Sequence, residues 1–171
     1  MRKRMSPVTK MKIQNIIIYL AAIVFCILWL SDVIAINKRI KQDEMKILEY
    51  AQSTASSLQL YVENGGEGTW YNGAEYMMRF DTLYAQYIEV RCSQKAFSKR
   101  KPTESERSAY EYAHFVARRM MSDPETMKPY AVDLAWAMRQ FGNRDPFSNE
   151  NMKFIADKLA EICAATEPEY S

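Results

Sequence analysis

Apolar residues follow two different patterns along this chain. From Ile13 to Ile36 (IQNIIIYLAAIVFCILWLSDVIAI) they form a run with no polar face, unbroken from Ile16 to Leu30. About 24 residues at 1.5 Å of helical rise reach roughly 36 Å, enough to cross a ~30 Å hydrocarbon core. A helix of a small soluble domain has no reason to be apolar all round. A transmembrane anchor is therefore expected over 13–36, behind a basic tail at 1–12 that carries Arg2, Lys3, Arg4, Lys10 and Lys12. The competing reading is a cleaved signal peptide ending near Val33-Ile34-Ala35. The run is at the long limit for such a segment and Ser31-Asp32 sits awkwardly close to the cleavage point, so a retained anchor is preferred. Asp32 is placed at the membrane interface, just past Leu30. Lys38, Arg39, Lys41 and Lys46 follow the span, which leaves little charge contrast across it. The short basic amino terminus favours a cytoplasmic N-terminus and an extracytoplasmic C-terminal domain.

Beyond residue 36 the apolar positions recur at helical spacing, and no stretch alternates with period two. The expected class is all-α: the transmembrane helix continues into a stalk helix over 37–63, followed by an antiparallel helical bundle of about four further helices within 74–166 and a short tail at 167–171. No Gly or Pro lies between Pro7 and Gly65 to interrupt the first helix. Along the stalk, Ile40, Ile47, Leu48, Ala51, Ala55, Leu58, Tyr61 and Val62 share one face, opposite Lys46, Glu49, Gln52, Ser53, Ser56 and Gln59. Such a stripe must pack on the rest of the chain or on a second copy, as in a coiled coil. Residues 64–73 hold four of the five glycines and are expected to form a Gly-rich loop.

The next helix, from about Ala74, carries an aromatic face of Tyr76, Met77, Phe80, Leu83, Tyr84, Tyr87 and Ile88, opposite Asp81, Gln86, Glu89 and Arg91. Thr103 and Glu106 have the spacing of a capping box, in which hydroxyl and carboxylate satisfy free N–H groups at a helix start. Asp123-Pro124 reads as another start, Pro129 as a kink or restart, and Gly142 as a stop. Ser148 is placed to cap the last helix, with Met152, Ile155, Leu159 and Ile162 on its apolar face.

Composition narrows the chemistry. The chain has 171 residues, enough for one ordinary domain and an anchor, with 23 Lys+Arg against 21 Asp+Glu. Five of those basic residues and one acidic residue precede residue 37, so the remainder is mildly acidic and nucleic-acid binding is not expected. Gly68 and Gly73 have the spacing of a phosphate-binding loop, but Ala74-Glu75 stands where Lys followed by Ser or Thr is required. Trp70 and Tyr71 are the loop's candidates for a partner or membrane-surface contact. Arg91, Lys95 and Lys99 step by four and lead into Arg100 and Lys101, a basic cluster able to meet lipid headgroups or an acidic partner, or simply to sit at a helix C-terminus. His114 is the only histidine, and no spacing motif links it to a metal or a nucleophile. No cofactor and no metal site are expected. Cys92 and Cys163 can form a disulfide if the domain lies outside the cytosol, and are otherwise core thiols. Ala22/Cys26 and Ser31/Ala35 are small residues four apart in the span, a weak signal for helix contact without glycine.

A strong anchor, helices rich in aromatics and Met, and no credible catalytic group point to a non-enzymatic module. We expect a single-pass membrane-anchored helical protein working through protein–protein contacts, as an assembly, scaffold or regulatory subunit of a membrane complex. Its partners would be other proteins of that complex or a second copy, together with the bilayer. The alternative is a membrane-anchored sensor, in which eleven Tyr, seven Phe and three Trp line a ligand pocket between the helices.

Overall fold

The computed structural model describes residues 7–93, 101–143 and 145–167. They are helical in character, and no strand occurs among them. The elements are α1 (Pro7–Asn64), α2 (Glu67–Ser93), α3 (Glu104–Ser122), α4 (Pro124–Met127), α5 (Ala131–Arg139) and α6 (Asn149–Thr166), with single 3-10 turns at Lys128–Tyr130 and Gln140–Gly142. The chain divides into two compact units, one ending at Arg39 and one beginning at Ile40.

In the first unit α1 is long and apolar enough to cross a membrane. Its large apolar side chains are uncovered: Ile16, Ile18, Leu20, Ile23, Phe25 and Leu28 are all more than half exposed.

The second unit is a helical bundle. Ile40, Ile47, Ala51, Ala55 and Leu58 of α1 are fully buried in it, at steps of seven, four and three. The stripe read from the sequence is thus covered by the same chain rather than left as a stalk. Its far end departs from expectation: Tyr61 is half-buried against the Trp70 ring, and Val62 is exposed.

The turn after α1 is shorter than the glycines suggest. Only Gly65 and Gly66 lie between the helices. Gly65 adopts φ +65°, the left-handed conformation that closes a helix at little steric cost to glycine, and its N–H donates to Tyr61 O at 2.7 Å. The expected loop over 64–73 is corrected on this point: α2 begins at Glu67, and Gly68 and Gly73 lie inside it. A Cβ on Gly73 would stand 3.1 Å from Leu58 Cδ2, so this glycine serves the close approach of α2 to α1. Helical glycine costs about 1 kcal/mol relative to alanine, which this packing has to offset.

Trp70, Met77, Phe80, Tyr84 and Tyr87 bury one face of α2. Phe80 meets Phe141 edge-on at 5.1 Å, and Tyr84 meets Tyr110 at 5.9 Å, joining α2 to the turn after α5 and to α3. Phe147, from the segment before α6, lies 5.3 Å from Tyr87. Each large side chain buried this way contributes about 1.5–3 kcal/mol of transfer free energy. α3 turns small residues inward, Ala109, Ala113 and Ala117 with Val116 and Met120, and packs on both α2 and α6. Its capping box forms as the sequence indicates. Glu106 N–H donates to Thr103 Oγ1 at 3.2 Å, and Thr103 N–H donates to Glu106 Oε2 at 2.5 Å. Pro129 interrupts the next helix, where the 3-10 turn separates α4 from α5. Ser148 caps α6 by accepting from Asn151 N–H.

Candidate functional site

The residues expected to form contacts are distributed differently from the sequence reading. Trp70 is fully buried, its indole N–H donating to Met120 O at 3.3 Å across α2 and α3. It ties helices together, so the expected Trp70–Tyr71 contact pair is corrected to a structural tryptophan beside an exposed Tyr71. Arg91 is likewise not on the surface. Its guanidinium Nη1 lies 2.5 Å from Glu106 Oε1, with both side chains at 8% exposure or less, and also donates to Tyr87 Oη at 2.9 Å. Tyr87 O–H in turn donates to Glu44 Oε1 on α1. Burial pushes the Tyr87 phenol well above its ordinary value, so it stays a neutral donor. Arg91 therefore leaves the expected basic cluster. Lys95, Lys99 and Arg100 lie outside the described residues, and Lys101 is exposed.

Cys92 and Cys163 are both free thiols, which corrects the expected disulfide. Cys92 is exposed, with Arg107 Nη2 at 3.8 Å, whereas Cys163 is buried with its Sγ 3.9 Å from Tyr112 O. Burial, with a smaller contribution from Glu167, pushes the Cys163 thiol up to about 11.

His114 joins a group assigned to the polar face of α2. Its Nδ1 lies 2.9 and 3.0 Å from the two oxygens of Asp81, which is buried, and the Tyr110 ring stands 6.0 Å from the imidazole. A carboxylate can only accept, so Nδ1 carries the proton and the ring is held in one orientation. Among the described residues no group of three His, Cys, Asp or Glu side chains is arranged to hold a metal ion. The pair acts as a clamp between α2 and α3.

The surface that stands out is around Trp136, which the sequence reading passed over. α5 buries Ala131, Leu134, Ala135, Ala137 and Met138, and this turns Val132 and Trp136 outward, 58% and 43% exposed. Trp136 is the ridge between two open grooves. One, of about 270 Å³, is apolar, with Val62 from α1 facing Val132, Ala135 and Trp136 from α5 and with Gln59, Glu63 and Arg139 at its edges. The other, of about 570 Å³, runs along the turn into α6, with Phe154 and Trp136 on one side and Asn143, Asp145, Glu150 and Asn151 on the other.

The ridge is held in place. Phe154 meets Trp136 edge-on with ring centroids 4.6 Å apart. Asn143 Nδ2 donates to Gln140 Oε1 and Asn151 Oδ1, and Asn151 Nδ2 donates to Gln140 O and Pro146 O. These bonds cross-tie the loop that forms the groove wall. The only sequence signal for this surface is that Val132 and Trp136 stand four apart, off the stripe made by Ala131, Leu134, Met138 and Phe141. A fixed, half-exposed tryptophan between an apolar and a polar groove has the chemistry of a contact site: apolar area at little entropic cost, with orienting groups alongside. A third open groove, of about 470 Å³, lies between Lys46 and Tyr50 of α1 and Glu75, Arg79 and Thr82 of α2, and its Arg79 and Glu75 pair with each other. No protein-family profile matches the chain, and no curated protein or solved structure matches it.

Proposed function

We propose that this protein is a single-pass membrane protein, anchored by residues 13–36, whose helical domain works as an assembly, scaffold or regulatory subunit by holding another protein against the surface around Trp136. The amino terminus lies in the cytoplasm and the domain on the opposite side of the bilayer. The observation that carries the contact reading is the Trp136 ridge. It exposes a tryptophan, Val132 and Val62 side by side on a surface fixed by its own hydrogen bonds, where little ordering entropy is lost on binding. The anchor reading is supported by the uncovered apolar side chains of the first unit, whose exposure to water would be costly.

The test is crosslinking in membranes followed by purification in gentle detergent, comparing the wild-type chain with Trp136→Ala. The wild type is expected to carry a stoichiometric partner, or a second copy, and Trp136→Ala to lose it while remaining folded. An unassociated monomer from both would overturn the proposal.

A further inference from the structure

The polar groove beside Trp136 has an unequal balance of donors and acceptors. Both amide hydrogens of Asn143 and both of Asn151 are spent inside the loop. Asp145 and Glu150 are exposed at the groove, and neither is paired with a cation among the described residues. What the groove offers a visitor is therefore two carboxylates opposite an aromatic wall. The ring of Trp136 already takes one cation from its own chain: Lys158 Nζ lies 5.9 Å from its centroid.

From this we propose that the groove receives an arginine side chain of a partner protein, in a segment whose neighbouring apolar residues enter the adjoining groove of Val62 and Val132. The proposal rests on the reading of this surface as a protein-contact site and names the chemistry of its partner. A guanidinium is a flat cation with donors around its edge; it stacks on aromatic faces and pairs with carboxylates at the same time. An anionic ligand would meet Asp145 and Glu150 as like charges. A neutral sugar asks for donors as well as acceptors, and the loop amides have none left to give. The mild acidity of residues 37–171 steers a basic segment in the same direction.

The experiment uses the full chain in nanodiscs of zwitterionic lipid at about 150 mM salt, where surface charges more than ~8 Å apart are largely screened. The probes are a fluorescein-labelled peptide alternating Arg and Gly, its Glu-and-Gly counterpart, and a chitin oligosaccharide, each followed by anisotropy or by competition. The Arg peptide should bind and the other two should not. Asp145→Asn together with Glu150→Gln should weaken the Arg peptide by about tenfold, the loss of charge-assisted contacts. Removing two exposed carboxylates elsewhere, with Glu49→Gln and Glu111→Gln, should change it less than about twofold, as expected of well-screened charges. An equal loss from both pairs, tighter binding of the oligosaccharide, or no binding of the Arg peptide would overturn the proposal. If the Arg peptide fails while Trp136→Ala still releases the natural partner in membranes, the contact reading stands and the arginine inference falls alone.

Discussion

Glu106→Gln isolates the charge of the buried pair that joins α2 to α3. The amide keeps the size of the side chain and can still accept from Thr103 N–H, so the helix cap survives. What it removes is the negative charge opposite Arg91, in a place where the two side chains are only 8% and 2% exposed. Arg91 remains positive at any accessible pH, and its other bond, to Tyr87 Oη, is to a neutral group. Breaking one side of a buried ion pair costs about 3–5 kcal/mol, because the remaining charge is left uncompensated. The wider network makes escape harder, since Tyr87 is itself held by Glu44 and Tyr84 Oη donates to Glu106 O at 3.2 Å. For a bundle of this size, 3 kcal/mol corresponds to a fall in Tm of roughly 10–15 °C. Thermal melting of the detergent-solubilised chain, followed by circular dichroism at the helical band, measures it. Arg91→Met combined with Glu106→Leu should recover much of the loss, as an apolar pair of similar volume leaves no charge behind. A Tm for Glu106→Gln within 2 °C of wild type would refute the reasoning, because it would mean that water reaches the pair.

Three further outcomes follow from the same packing. Gly68 has open space where a Cβ would stand, so Gly68→Ala should stabilise by up to ~1 kcal/mol through helix propensity. Gly73→Ala should destabilise by about 1 kcal/mol or more, since its Cβ would press on the fully buried Leu58; chemical denaturation of the two variants should therefore shift in opposite directions, and a shared sign would contradict the account. At pH 8 Cys92 should alkylate readily, whereas Cys163, with its thiol pushed up to about 11, stays protonated and buried and should react only as the pH rises toward that value or the domain unfolds; equal rates by mass spectrometry would show that Cys163 is open to solvent.

Local features were legible in the sequence because their partners are a few residues away. The Thr103–Glu106 box, the Ser148 cap, the break at Pro129 and the end of α1 at the Asn64-Gly65 junction all rest on chain-local geometry. So did most of the α1 stripe, because helical spacing alone puts Ile40, Ile47, Ala51, Ala55 and Leu58 on one side. Arg91 and Asp81 looked solvent-facing because a charge is buried only when a partner arrives, and their partners Glu106 and His114 come from another helix. Gly68 and Gly73 suggested a loop because glycine has two uses, turning the chain and letting helices approach; at Gly73 the second applies, and it depends on where Leu58 lies. Trp136 went unnoticed for a similar reason. A tryptophan on a short apolar helix resembles core until the orientation of that helix is known.

The central claim is that residues 13–36 remain in the protein as an anchor that holds the helical domain on the far side of the membrane. A tag placed after Ser171 tests it most directly, with protease added to intact and then permeabilised cells and with chain length read on the same gel. The account predicts a full-length chain in the alkali-washed membrane fraction, with its tag digested in intact cells. A tag protected until permeabilisation would contradict the orientation. A chain shortened by about 35 residues, the length of a removed signal segment, would contradict the anchor itself.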